Sequence, residues 1–221
     1  MVESKLTPRL RLYNAGVRTL SVSPSIQEHA MRELRIHGRG GQGAVVASKI
    51  LAIALFHEEK WVQSFPAFGV ERRGAPVTAF LRVSDKPIRL RCEIAAPDDL
   101  IVLDPTLITA VDVTLGLKPG GTILINSPHA LDHYADLSRR FRVSVVDASG
   151  IAVAHELGSR TQPIVNTAIL GAFAVSTRLV SLDAICAAIG EEVPARATAN
   201  IAAARAAAEL VEVAMPEVTH V

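Results

Sequence analysis

A glycine-rich turn limits the choice of fold more than any other feature of this sequence. Residues 38–43 read GRGGQG; they follow a strand pattern at 34–36 and precede a helical pattern at 44–56. Glycine permits a sharp turn and a close backbone approach to a ligand, and the start of the next helix offers free N–H groups to an anion. The spacing G-x-G-x-x-G between a strand and a helix predicts an α/β domain with a turn suited to phosphate.

The other half of the dinucleotide-binding pattern is missing. That pattern ends the second strand with a carboxylate, about 20 residues after the turn, which binds a ribose hydroxyl. Here Glu58 and Glu59 precede the second predicted strand, at 61–65, and the strand leads into Pro66. A dinucleotide site therefore lacks a key residue. The glycine turn has three other interpretations: a turn that binds no ligand, a site for another phosphate-bearing ligand, and a contact with another subunit.

Aliphatic strand patterns alternate with helical patterns along the rest of the chain. Further strands are predicted at 100–103, 122–126 and 143–146, further helices from residues 151, 167, 182 and 195, and a hairpin at 77–83 and 88–91 around the turn cluster 84–87. The alternation predicts an α/β fold, a single domain with a mostly parallel, doubly wound, Rossmann-like sheet and a β-hairpin addition. We expect residues 1–30 to form an extended or disordered arm, 31–215 the domain and 216–221 a tail.

Charge balance and hydropathy exclude several classes of protein. With 23 basic and 22 acidic residues, the formal charge is +1, so no net field attracts nucleic acid. The most apolar early stretch, 44–56, contains Ser48 and Lys49 and is too short to span a bilayer. Residues 1–30 lack the apolar run of a secretory signal. We therefore expect a cytoplasmic protein without a membrane span.

Metal-binding and catalytic patterns are weak. Cys92 and Cys186 are too few to hold an iron–sulfur cluster or a structural zinc ion. His129 and His133 have helical spacing but no assured third ligand, so we expect them to be surface residues. Asp104 and Asp147 end strands and are expected to form turns or helix caps. No nucleophile motif is present, and we predict no catalytic residue in this chain.

A second group of unusual residues, 68–74 (FGVERRG), follows the second predicted strand. It lies beyond the carboxyl end of that strand, where ligands of open α/β sheets bind. Aromatic and arginine side chains are also frequent at protein interfaces. A solvated loop with a local ion pair is the alternative. We predict an interface formed by Phe65, Phe68, Glu71, Arg72 and Arg73.

Six segments together carry a resemblance to a known family. They are residues 37–43 (HGRGGQG), 62–69 (VQSFPAFG), 71–77 (ERRGAPV), 102–107 (VLDPTL), 116–121 (GLKPGG) and 165–173 (VNTAILGAF). The chain resembles the gamma subunit of pyruvate:ferredoxin oxidoreductase and of related 2-oxoacid:acceptor oxidoreductases, from about residue 31 to residue 213. Residues 1–30 have no counterpart in this pattern.

The resemblance implies a subunit of a multi-subunit enzyme that oxidatively decarboxylates a 2-oxoacid and transfers the acyl group to coenzyme A. It implies alpha, beta and ferredoxin-like delta subunits as partners, with thiamine diphosphate, Mg²⁺ and [4Fe-4S] clusters on those partners. The electron acceptor would be ferredoxin, or NAD through another subunit.

On this reading the chain contacts coenzyme A and helps to enclose the active site. The residues expected to hold a coenzyme A phosphate are Gly38, Arg39, Gly40, Gly41, Gln42 and Gly43. A stand-alone NAD-binding dehydrogenase and a purely structural assembly subunit are the alternative functions.

Overall fold

The computed structural model describes residues 31–67 and 72–214. The strands are β1 (Arg32–Arg39), β2 (Trp61–Pro66), β3 (Pro76–Ser84), β4 (Asp99–Val102), β5 (Thr122–Asn126), β6 (Arg142–Val146), β7 (Gly158–Ser159), β8 (Gln162–Pro163) and β9 (Glu212–Val213). The helices are α1 (Ala44–His57), α2 (Leu107–Ala110), α3 (Ala135–Ser138), α4 (Ala148–Ala154), α5 (Ala168–Thr177), α6 (Leu182–Glu192) and α7 (Ala197–Leu210). The predicted arm 1–30 and tail 216–221 lie outside the described residues.

One twisted sheet organises the chain, with the strand order β2-β3-β1-β4-β5-β6-β9. The four central strands, β1, β4, β5 and β6, pair in parallel, whereas β2, β3 and β9 pair antiparallel to their neighbours. This is the α/β architecture that the sequence predicts, with a mostly parallel central sheet. The carboxyl ends of the parallel strands meet at one edge, which is where sites form in such sheets.

Apolar side chains pack on both faces of β4, β5 and β6, and mainly on one face of β1, β2 and β3, because alternate residues of a strand point to opposite faces. On one face, Leu34 and Ile36 of β1 join the larger core, to which α1, α4, α5, α6 and α7 contribute. On the other face, Leu100 and Val102 of β4 join a smaller core with residues of β5 and β6 and of the short helix α2. The strands β4, β5 and β6 are therefore nearly continuous buried runs, as is typical of strands buried on both sides.

The predicted hairpin is wrong in its second arm. Residues 88–91 form no strand, and three of the four are exposed. Both edges of β3 are already paired, one with β2 and the other with β1. Leu90 instead accepts a hydrogen bond at its carbonyl from Gln63 Nε2 of β2, at 2.9 Å. The antiparallel additions are therefore β2 and β3, together with a short hairpin formed by β7 and β8 that the sequence analysis did not predict.

The other predicted elements are confirmed, with small shifts of their ends. The strand predicted at 34–36 extends over Arg32–Arg39, and the helix predicted from residue 151 begins at Ala148. Within residues 31–67 and 72–214, no helix has the length and apolar character that crossing a membrane requires.

Candidate functional site

The glycine turn links the carboxyl end of β1 to the first residue of α1. Gly41 and Gly43 both have left-handed backbones, with φ angles of 98° and 78°. Within the turn, the Gln42 side chain folds back: its Oε1 accepts from the Arg39 N–H at 2.7 Å, and its Nε2 donates to Asp104 Oδ2 at 3.1 Å. The Gln42 amide thus fixes the shape of the turn and ties it to the segment after β4.

Arg39 is held by three hydrogen bonds to two neighbouring segments. Its Nε donates to Asp104 Oδ2 at 3.0 Å and its Nη2 to Thr106 Oγ1 at 2.8 Å, both beyond the end of β4. Its Nη1 donates to the Gly74 carbonyl at 3.1 Å. The guanidinium is about one-third exposed, at 30%. Arg39 therefore carries a charge that Asp104 partly balances, and it also joins the turn to two other loops.

Asp104 is ionised in this arrangement. Partial burial by itself would raise the pKa of its carboxyl group, but hydrogen bonds from Thr106 and Gln42 and the charge of Arg39 outweigh that effect and lower the pKa. Its Oδ1 accepts from the Thr106 N–H and hydroxyl at 3.0 and 2.6 Å. The prediction of Asp104 as a turn former is confirmed, and its second role as the anchor of Arg39 was missed.

Residues 72–75, at the end of the loop that is predicted to form an interface, run beside the glycine turn. Gly40 N–H donates to the Ala75 carbonyl at 2.9 Å, and Gly74 N–H donates to the Gly40 carbonyl at 3.1 Å. A Cβ atom at residue 40 would overlap the carbonyl oxygen of Arg72. Gly40 is therefore required by this close packing. The structure brings together the two segments that the sequence analysis treated separately.

Two further segments complete the site, and the sequence analysis did not single out their residues. Asn166, just before α5, packs against Gly43 so closely that a Cβ there would overlap its amide. The hairpin of β7 and β8 is tied to the interface loop by Arg73 Nη2, which donates to Gln162 Oε1 at 3.1 Å. Asn166 lies in the segment 165–173, which carries part of the family resemblance, whereas no sequence signal indicated Gln162.

Three exposed arginines lie in the two segments that are linked to this turn, the loop before β3 and the hairpin of β7 and β8. Arg72, Arg73 and Arg160 are exposed, and none of them forms an ion pair within the described part of the chain. The turn opens a helix of 14 residues, α1, whose first N–H groups have no partner inside the helix. Helix N-termini attract anions for this reason. The arrangement is suited to binding an anionic group and offers no pair of residues for acid–base catalysis.

The predicted interface residues have different surroundings. Phe65 is half-buried in β2, where its ring lies 5.1 Å from the ring of Phe80 and 5.4 Å from the Arg82 guanidinium carbon. Arg72 and Arg73 are exposed. The other two, Phe68 and Glu71, lie outside the described residues. Their role as an interface stays a prediction.

The other candidates from the sequence have ordinary structural roles. His129 and His133 are exposed, as predicted, and their rings stack at 4.4 Å. No group of three or more possible metal ligands occurs within residues 31–67 and 72–214. Asp147 caps α4, as predicted, because its Oδ1 accepts from the Gly150 N–H at 2.8 Å.

The position of β2 bears on the dinucleotide interpretation. In a dinucleotide-binding fold the second strand lies next to the first, so a carboxylate at its end can reach the ribose. Here β3 separates β2 from β1, and β2 ends at Pro66 without a carboxylate. The geometry thus offers no ribose ligand at the expected place.

Comparison with known proteins identifies the family. The sequence model of the pyruvate ferredoxin/flavodoxin oxidoreductase family matches residues 33–210. The common gamma subunit of the pyruvate/ketoisovalerate oxidoreductases of Thermococcus kodakarensis is 53% identical over 163 residues, which are 73% of this chain and 86% of that subunit. The crystal structure of pyruvate oxidoreductase subunit PORC from Thermotoga maritima is 34% identical, with a TM-score of 0.71, and the match covers 83% of this chain and 98% of that one.

A more distant structure shares the fold alone. It is a 2-oxoglutarate:ferredoxin oxidoreductase from Magnetococcus marinus with 2-oxoglutarate, coenzyme A and succinyl-CoA bound. Its identity is 18% and its TM-score 0.64, over 81% of this chain and 31% of that longer one. The family model and the alignments with the two gamma-type subunits each cover most of this chain. The chain therefore belongs to the pyruvate ferredoxin/flavodoxin oxidoreductase family, as one of its gamma subunits.

Proposed function

We propose that this gamma subunit binds a phosphate group of coenzyme A at the glycine turn and helps to enclose the active site of a CoA-acylating 2-oxoacid oxidoreductase. The observation that carries the proposal is the N-terminus of α1, which opens at the carboxyl edge of β1 beside Arg39 and the exposed Arg72 and Arg73, of which the last two form no ion pair among the described residues. Phosphate is the group for which backbone N–H donors and arginine are suited together. A solved structure that shares the fold, at 18% identity, has coenzyme A bound.

Each part of the turn has a distinct task in this proposal. The N–H groups of Gly41, Gly43 and the first helical residues donate to phosphate oxygens, while Gln42 holds the turn in shape. Arg39 contributes charge from a fixed position, since three hydrogen bonds hold its guanidinium. An arginine uses five N–H donors, so two of them stay available to a ligand.

The electron-transfer chemistry belongs to other subunits in this proposal. Thiamine diphosphate with its Mg²⁺ and the [4Fe-4S] clusters are held by alpha, beta and ferredoxin-like delta subunits, and ferredoxin, or NAD through another subunit, accepts the electrons. The cysteine content supports this division, because a [4Fe-4S] cluster needs four thiolates and the whole chain has 2 cysteines.

Replacement of Arg39 by alanine tests the coenzyme A site. We expect the Michaelis constant for coenzyme A to rise roughly 10- to 100-fold, because one charge-assisted contact contributes about 1.5–3 kcal/mol. The constant for the oxoacid should change little, since that substrate reacts at thiamine. Steady-state kinetics of the assembled enzyme, with each substrate varied separately, give both constants.

The control is Asp104→Asn, which removes the ion-pair partner of Arg39 and leaves the cation in place. If Arg39 acts on phosphate, Asp104→Asn should leave the coenzyme A constant within a few-fold of its original value. Equal effects of the two variants would mean that the ion pair is architectural. No effect of either, with assembly intact, would favour the purely structural subunit.

Purification of the gamma subunit alone tests the division of cofactors. The isolated chain is expected to be colourless, without stoichiometric iron, and unable to reduce a dye with a 2-oxoacid. The measurements are visible absorption, iron analysis and dye reduction before and after addition of the partner subunits. An iron–sulfur spectrum in the isolated chain would contradict the proposed distribution.

A further inference from the structure

The sheet face opposite α1 is only partly covered. Over β4, β5 and β6 it is buried by the smaller core, whereas no helix of the described chain packs on this side of β1, β3 and β2. Toward the amino end of β1, the face is closed by the loop after β3, where Arg82 Nη2 donates to the Cys92 carbonyl at 2.8 Å. Toward its carboxyl end, the part of the chain that the structure describes leaves the face half-exposed.

Four residues form this uncovered part, which we call the open face: Arg35, His37, Phe65 and Thr78. Register places them in two adjacent rows across the strands. Arg35 pairs with Phe80, which pairs with Phe65, and His37 pairs with Thr78. Leu34 and Ile36 point to the opposite core, so Arg35 and His37 both point to the open side. All four side chains are half-buried.

Arg35 carries a charge that no carboxylate of the described chain balances in an ion pair. Its Nη2 donates to the carbonyl oxygens of Val113 and Leu115 at 3.0 and 2.6 Å. Its Nε is buried and has no hydrogen-bond partner among the described residues. Burial lowers the pKa of the guanidinium, and attraction to Asp112 offsets only part of this. Since a desolvated cation without a counter-ion is costly, this position favours a carboxylate from outside the chain.

His37 lies beside Arg35 and is also without a partner. Its Nε2 is buried and makes no hydrogen bond in the part of the chain that the structure describes. More than about 90% of buried polar groups in proteins have a partner. Burial, and then the charge of Arg35, lower the pKa of His37 to about 4, so the ring is neutral at pH 7. His37 is therefore a second polar group of this face whose hydrogen-bonding capacity the described residues leave unmet.

We propose that the open face docks a segment of another subunit of the same enzyme, and that an acidic side chain of that segment pairs with Arg35. The apolar ring of Phe65 next to this cation gives the mixture of aromatic and arginine residues that is typical of interface anchors. A second copy of this chain is a poorer occupant, because the four residues of the open face include no carboxylate for Arg35. The proposal does not depend on coenzyme A binding.

Assembly of the enzyme from its own subunits tests the proposal, measured in the absence of coenzyme A. Arg35→Gln keeps an amide that can donate to the 113 or 115 carbonyl but removes the charge. We expect it to weaken association of the gamma subunit at least about tenfold, as for loss of one partner from a buried charge pair. Arg35→Lys keeps the charge and should retain most of the affinity. Arg139→Gln, at an arginine 74% exposed on α3's flank, is the matched control and should have no effect.

A second variant covers the case in which Arg35→Gln unfolds the chain. Thr78→Arg adds bulk and charge on the open face opposite His37, and the Thr78 side chain has no hydrogen bond to another described residue. The isolated variant should keep its thermal midpoint and lose association with its partners. Normal assembly of both Arg35→Gln and Thr78→Arg would overturn the proposal. So would a dimer of the isolated chain that Thr78→Arg abolishes, because the open face would then bind a second copy.

Discussion

Replacement of Gly43 by alanine is expected to lower the free energy of unfolding by about 2–5 kcal/mol. Two costs add at this position. The left-handed backbone, with φ of 78°, disfavours any residue with a Cβ, and the new Cβ would overlap the Asn166 amide. Gly41 separates the two costs, since its φ is 98° but a Cβ there meets nothing within 4 Å. Gly41→Ala should therefore cost only about 1–2 kcal/mol. Chemical denaturation of the isolated chain measures both values.

A double-mutant cycle tests the cause. Asn166→Ala should recover part of the loss in Gly43→Ala, because it removes the side chain with which the new methyl group collides. Its own cost should be modest, since the Asn166 Oδ1 is buried and has no hydrogen-bond partner within residues 31–67 and 72–214. If Gly43→Ala and Gly41→Ala were equally destabilising, or if the two changes at 43 and 166 were simply additive, the close packing would not be the reason for glycine at position 43.

The strand, turn and helix around this glycine could be predicted because their signals are local. The apolar pattern of β1, the spacing of the glycines and the helical pattern of α1 follow one another without interruption. The same local reasoning failed at the loop 84–87, which has the composition of a hairpin turn. Pairing of β3 is decided by β1 and β2, which are distant in sequence, and a local turn pattern contains no information about them.

The candidate site shows the same limit. Arg39 was identified as a cation inside the turn, but its ion pair with Asp104 joins residues 65 positions apart. Sequence reasoning gave Asp104 only the turn-forming role that depends on its near neighbour Thr106. Asn166 and Gln162 were missed as parts of the site, because an asparagine or glutamine without a charge or motif has no distinctive chemistry until the fold brings it to the turn.

Acidification is expected to destabilise the isolated chain through His37. The folded-state pKa of about 4 lies below the ordinary value of 6.5, because burial and the neighbouring Arg35 disfavour the charged ring. Between these two values the unfolded chain binds a proton that the folded chain does not. The contribution of His37 is therefore fully present above pH 6.5 and is lost as the pH falls toward 4. Its size over this interval is about 3 kcal/mol, at about 1.4 kcal/mol for each unit of pKa.

The comparison of the wild-type chain with His37→Gln isolates this contribution. Glutamine does not titrate, so the stability of the variant should fall less between pH 7 and pH 4, by about 3 kcal/mol. Burial raises the pKa of Asp99 in spite of the nearby Arg32, so Asp99 makes the chain more stable as the pH falls. This effect is the same in wild type and variant, and it cancels in the difference between them. Arg35→Gln removes the charge of Arg35, which is the smaller of the two causes of the lowered His37 pKa, and leaves the burial in place. It should therefore reduce the pH-dependent contribution of His37 to stability only in part. Parallel stability profiles of wild type and His37→Gln would mean that the ring is hydrated and titrates normally, and the open face would then lose one of the two groups on which its docking role rests.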